Sequence, residues 1–246
     1  MKPLIKICGI NDFNILQQLV SIDSIDYLGF IFYEKSVRNV SPEFLEQIKE
    51  FEFKDKRPVC VYVNSDQDFV KETSSYFKDP ILQFHGDETN DFCDSFDNEF
   101  WKVLRVKNQI NVDEIIKYGK ASGILFENYK KDQPGGTGES FDWSLINSVK
   151  DLDMKIILSG GINCENVDNA IDINPWCLDI NSGVESSPGI KNIDSIQTGE
   201  LCKEAMFFAK DLMKENGYFI SKIFMGGTFN EIVAEGKKYF KEVKVF

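Results

Sequence analysis

Short apolar runs recur along this chain, and the stretches between them carry apolar residues three and four positions apart. Eight runs read as strands, at residues 4–8, 27–32, 59–63, 81–84, 101–106, 123–126, 155–158 and 177–180. They are mostly apolar and rarely alternate with polar residues, the signature of parallel strands buried on both faces. Helix starts fall between them. Ser41-Pro42-Glu43 supplies an N-cap, an N1 proline and a first-turn acid ahead of Phe44, Leu45 and Ile48. Asp142-Trp143 and Asn163-Cys164-Glu165 open two more. Eight strand–helix units in 246 residues predict a closed (β/α)8 TIM barrel of the α/β class. A doubly wound open sheet has the same periodicity and remains open at this point.

No Gly/Ser or Pro linker interrupts the alternation, so residues 1–210 read as one barrel domain. Residues 211–246 are surplus to eight units and read as a C-terminal extension packed on the barrel. Within it, residues 231–240 predict an amphipathic helix on Ile232, Val233, Tyr239 and Phe240, although Gly236 sits in its middle.

Charge narrows the partners. The net charge is −12 and the pI about 4.7, so the surface repels nucleic acid and anionic membranes. Six scattered cysteines form no C-x-x-C pair, and the single His85 excludes histidine-rich zinc spacings. Reduced thiols in a cytoplasmic protein are the expectation. No leading apolar segment or membrane-length run is visible.

The chemistry should gather where strands end. Lys6-Ile7-Cys8-Gly9 puts a cysteine at the C-terminal mouth of the first strand. A thiol there accepts a proton if something lowers its pKa, or is simply a small core residue. Glu127 ends the sixth strand, as a pKa-raised acid or a solvated loop acid. His85 ends the fourth, as a site residue or a hydrogen-bonded structural one. Asp179 ends the eighth, for a sugar hydroxyl or as a cap. Arg38, after the second, forks onto a substrate carboxylate or lies on the surface. Glycine clusters follow strands six (Pro134-Gly135-Gly136-Thr137-Gly138), seven (Ser159-Gly160-Gly161) and eight (Ser182-Gly183). Glycine lets backbone N–H groups approach an anion, and a following helix N-terminus adds its dipole. Gly160, Gly161, Ser182 and Gly183 are therefore the expected phosphate ligands of a small phosphorylated substrate.

Taken in order, these motifs resemble the phosphoribosylanthranilate isomerase family of tryptophan biosynthesis. The matches are Lys6-Ile7-Cys8-Gly9, Gly29-Phe30-Ile31-Phe32 with Ser36-Val37-Arg38, and Gln83-Phe84-His85-Gly86-Asp87-Glu88. They continue with Gly135-Gly136-Thr137-Gly138, Ser159-Gly160-Gly161-Ile162 and Asp179-Ile180-Asn181-Ser182-Gly183-Val184-Glu185, and run from about Leu4 to Ala209. The resemblance implies a (β/α)8 barrel that performs an Amadori rearrangement. N-(5-phosphoribosyl)anthranilate becomes 1-(2-carboxyphenylamino)-1-deoxyribulose 5-phosphate. It implies Cys8 as general base, the Gly160-Gly161 and Ser182-Gly183 loops on the phosphate, Arg38 against the anthranilate carboxylate, no metal or organic cofactor, and a monomer or homodimer; His85 and Asp179 are candidate substrate contacts on their strand-end positions alone. The family's general acid is an aspartate. Glu127 stands at that position here, with Asp132 as a substitute, and Val37 replaces a common proline. Two other readings remain: a barrel that binds sugar phosphates without turnover, and a related sugar-phosphate isomerase using paired aspartates. The second lacks an acid at the end of strand five, in Val103-Leu104-Arg105-Val106.

Overall fold

The computed structural model describes residues 3–129, 140–163, 165–193, 218–220 and 229–245. Eight parallel strands close on themselves: β1 Leu4–Ile7, β2 Tyr27–Phe32, β3 Arg57–Tyr62, β4 Ile81–Phe84, β5 Phe100–Val106, β6 Gly123–Asn128, β7 Ile156–Leu158 and β8 Cys177–Ile180. Closure is made by β1 against β8, in the register Leu4↔Cys177 through Ile7↔Ile180. The barrel, not the open sheet, is the fold.

Helices occupy the outside, and side-chain caps start most of them. They are α1 Phe13–Leu19, α2 Pro42–Ile48, α3 Gln67–Ser74, α4 Asn90–Cys93, α5 Val112–Lys117 and α6 Val167–Asp172. Ser41 Oγ accepts from Phe44 N, as the sequence predicts. Two starts differ from expectation. The turn after Asp142 is a 3-10 helix, Trp143–Val149. The helix expected from Asn163 begins three residues later, because Asn166 Oδ1 accepts the Asn163 amide at 2.8 Å and holds that segment as a turn.

Two apolar layers result. Outward strand residues such as Leu28, Phe30, Tyr62, Leu82 and Phe84 pack on Leu16, Leu19, Phe44 and Ile48 of the helices. Inside the barrel a plug of Val59, Ile81, Trp101, Val103, Leu125, Ile157 and Cys177 fills the lower half. Two residues further along five of the strands, on the same inward face, the side chains turn polar. Leu4 gives way to Lys6, Ile81 to Gln83, Leu125 to Glu127, Ile157 to Ser159 and Cys177 to Asp179. The alternation hidden in these apolar strands is a change from plug to site.

Beyond β8 lies a hairpin of β9 Glu185–Ser187 and β10 Ile190–Lys191. The expected C-terminal helix is present at Phe229–Tyr239, and Phe240 N closes onto Gly236 O at 2.9 Å, so the glycine is tolerated within it. Ile232 is buried there, and Phe219 stacks on Phe240. Among the described residues no helix is long and apolar enough to cross a membrane.

Candidate active site

At the C-terminal ends of the strands the polar layer walls an open cleft. Cys8, Arg38, His85, Glu127, Asp179, Gly160, Gly161 and Ser182 all line it. Gly183 does not. A side chain there would collide with Ile162 O and the Asn163 backbone, so Gly183 is where the loops after β7 and β8 touch. The Pro134–Gly138 cluster and Asp132 lie outside the described residues.

Cys8 and Asp179 meet through a residue the sequence reading passed over. Lys6, fully buried on β1, donates from Nζ to Asp179 Oδ1 at 2.8 Å, and its chain lies beside the Cys8 thiol. Burial opposes its charge, yet Asp179 and Cys8 hold its pKa above the ordinary lysine range. For Cys8 the balance is the reverse. Burial pushes the thiol up and Asp179 adds to that, while Lys6 and Lys191 pull it down, and the net shift is upward. Gly29 on β2 makes room for the pair: a Cβ there would sit 2.8 Å from Cys8 Sγ and 3.1 Å from Lys6 Cε. The available signal was a lysine inside an otherwise apolar strand.

Glu127, buried on β6, lies 2.6 Å from His85 Nε2. His85 Nδ1 is 3.3 Å from the Gln83 amide, and Gln83, buried on β4, was also passed over. The triad has two self-consistent states. With the Gln83 N–H aimed at Nδ1, the ring proton sits on Nε2 and His85 donates to an ionised Glu127. With the amide turned over, Nδ1–H donates to Gln83 Oε1, and Nε2 accepts the proton of a neutral Glu127. The second state stores the proton a general acid needs. The loop carrying His85 is pinned from below. Lys102 Nζ donates to Gly86 O and Glu88 Oε2, each at 2.7 Å, and Arg105 donates to His85 O at 2.9 Å.

Arg38 is a site residue rather than a surface one, 9% exposed, with its side-on fork already occupied. Nε and Nη2 donate to the two oxygens of Glu185 at 2.8 and 2.7 Å. A guanidinium has a second fork, Nη1 with Nη2, and that edge can still take a carboxylate. Lys191 Nζ adds bonds to Glu185 Oε1, Asn181 O and Asn181 Oδ1 at 2.9, 3.0 and 2.8 Å. Burial favours a neutral Glu185, but Arg38 and Lys191 outweigh it and hold the carboxyl below its usual range. In the Arg38 turn, Ser36 Oγ accepts from Arg38 N at 3.1 Å.

Gly160 and Gly161 have φ of +88° and +68°, a conformation glycine adopts without strain. Asn163 and Asn166 side chains donate to Gly161 O and fix the turn. α6 starts only at Val167, so no helix end directly follows Gly160 and Gly161. Among the described residues no group of three His, Cys, Asp or Glu side chains is placed to hold a metal ion.

The sequence profile of N-(5'-phosphoribosyl)anthranilate (PRA) isomerase matches residues 5–199. A protein of that name from Nitrosomonas eutropha is 38% identical over 198 residues, 80% of this chain and 94% of its own. One from Thermotoga petrophila is 36% identical over 202 residues, covering 79% and 95%. Among solved structures, phosphoribosyl anthranilate isomerase from Thermotoga maritima superposes with a TM-score of 0.70 at 34% identity, over 79% of this chain and 95% of that one. A phosphoribosyl anthranilate isomerase in complex with reduced 1-(o-carboxyphenylamino)-1-deoxyribulose 5-phosphate gives 0.68 at 33%, over the same shares.

Proposed function

The chain belongs to the N-(5'-phosphoribosyl)anthranilate isomerase family, and from that premise we propose that Cys8 and Glu127 are its two proton-transfer groups. The activity is the Amadori rearrangement of N-(5'-phosphoribosyl)anthranilate in tryptophan biosynthesis. The observation that carries the residue assignment is a buried thiol directly after β1 and a buried carboxyl on β6 in the walls of one cleft.

Glu127, in its neutral state, gives its proton to the ring oxygen of the ribose. The C1–O bond breaks, and the nitrogen lone pair forms an iminium at C1. The Cys8 thiolate takes the C2 proton, and the C–H electron pair becomes the C1=C2 bond of an enolamine as the iminium is discharged. Tautomerisation gives the ketone. Two groups in fixed positions suit this sequence, because each step needs one proton moved at one atom. The amides of Gly160, Gly161 and the Ser182 turn hold the phosphate. The open fork of Arg38 takes the anthranilate carboxylate, and Asp179 receives a ribose hydroxyl. Residues 1–210 form the catalytic barrel, which works on a phosphorylated small molecule in the cytoplasm as a monomer or homodimer.

The test is turnover. Phosphoribosylanthranilate is generated in place from anthranilate and phosphoribosyl pyrophosphate, and loss of its fluorescence is followed on adding protein. Rapid loss is expected from the wild type. Cys8→Ala and Glu127→Gln should each lower kcat by about 10²–10⁴-fold while the circular dichroism stays unchanged. A fully active Glu127→Gln enzyme would remove Glu127 from its role.

A further inference from the structure

Among the described residues, Lys6 is the cation whose chain borders the space beside the Cys8 sulfur: a Cβ on Gly29 would lie 2.8 Å from Sγ and 3.1 Å from Lys6 Cε. Among the described residues the thiol has as charged neighbours Lys6 from β1, Asp179 from β8, Lys191 from β10 and Arg38 from the loop after β2. An ammonium ion has three donors. Those of Lys191 go to Glu185, Asn181 O and Asn181 Oδ1. Arg38 gives its side-on fork to Glu185. Lys6 gives Asp179 Oδ1 one bond, and its ammonium ion has further donors for a thiolate beside it. Lys6 and Cys8 are two apart on one strand and share its inward face, and Gly29 leaves the space in which they meet.

Stability does not account for this lysine. A buried ion pair is often no better for folding than apolar side chains of the same volume, so its presence is weak evidence of a stabilising role. The layer immediately below is apolar throughout, so such a pair would continue it. We propose that Lys6 is the positioning residue of the base: its ammonium ion holds the Cys8 sulfur in place and stabilises the thiolate in a water-poor wall where that anion would otherwise not form. The proposal rests on the assignment of Cys8 as base and adds what makes a buried cysteine usable as one. Cys60, buried on β3 without such a partner, is pushed far up by burial.

The experiment is alkylation of Cys8 by iodoacetamide as a function of pH, followed by mass spectrometry of its peptide, beside the pH dependence of turnover. An opposite charge at this range moves a pKa by about 1–3 units. Lys6→Met should therefore raise the pH of half-maximal Cys8 alkylation by at least about one unit. Its kcat at neutral pH should fall by about tenfold or more and recover as pH rises, with KM little changed. Asp179→Asn should move the alkylation midpoint the opposite way, because it frees the ammonium charge for the sulfur. Lys6→Arg should keep the midpoint near that of the wild type. If Lys6→Met does not fold by circular dichroism, Asp179→Asn and the charge-neutral pair Lys6→Met/Asp179→Asn decide, the pair being expected to show the raised midpoint. An unchanged midpoint in Lys6→Met or in the pair, or a raised one in Asp179→Asn, overturns the proposal. Alkylation needs no turnover, so an active Cys8→Ala enzyme would overturn the base assignment while leaving the Lys6–thiol coupling separately measured.

Discussion

Glu185 shows how a single side chain links two parts of the site. It starts β9, just past the expected phosphate loop, yet its carboxylate ties down Arg38 from the opposite loop and Lys191 beside it. Because its folded pKa lies below the ordinary 4.5, it stabilises the fold fully above that value, and the contribution disappears as pH falls through the depressed value. Thermal unfolding of the wild type and Glu185→Gln between pH 7 and pH 3 should therefore converge in the acid range, where the wild-type carboxyl also becomes neutral. At pH 7 the variant should be less stable and have a KM raised by about tenfold, since Arg38 loses the fork that aims it. Curves that stay parallel to pH 3 would show that the fork contributes nothing to stability. At this scale the sequence was partly legible. Cys8, Glu127, His85 and Asp179 stood out because each ends an apolar run. Lys6, Gln83 and the partner of Arg38 did not. A polar residue inside such a run does not reveal its face until closure settles which side is inside, and a 147-residue separation hides the Arg38–Glu185 pair.

The strands are the most legible elements, since a run of apolar residues bounded by glycine or a turn is set locally. All eight appear within two residues of their expected bounds. The helices were less so. Asp142 caps a 3-10 turn, because its carboxylate binds Ser144 N and Oγ two residues on instead of spanning a full α-turn. Asn163 begins a side-chain-pinned loop. Glycine positions carry the tightest requirement at this scale. Gly183, in the turn after β8, lies against the Ile162 carbonyl of the loop after β7, so the two loops expected to hold phosphate are spaced by its missing side chain. Gly183→Ala should push them apart. Overpacking against backbone costs about 1–3 kcal/mol, so a fall in Tm of several degrees is expected. Steady-state kinetics should show KM for the phosphorylated substrate up by about tenfold or more and kcat much less affected. A variant with unchanged KM would take the Gly183 turn out of the phosphate site.

For the whole molecule, closure decides what local patterns could not. The same eight βα units could line an open sheet, and it is the Leu4↔Cys177 register that wraps them around an apolar plug and leaves a polar cleft at one end. The barrel sets a natural boundary on the chain. The family match ends at residue 199, and the Nitrosomonas relative has 94% of its own length within the 198 aligned residues, so its fold closes with little beyond them. Among the described residues, the helix Phe229–Tyr239 buries Ile232 in a small cluster with Phe219 and Phe240 that shares no member with the barrel's own clusters. Removing residues 211–246 should therefore leave a folded barrel with turnover close to that of the full chain and a Tm lower by only a few degrees. Circular dichroism melts and the fluorescence assay on the shortened chain check this. Loss of the cooperative transition would mean that the C-terminal segment completes the barrel's core, and the boundary would move from residue 210 to the end of that helix.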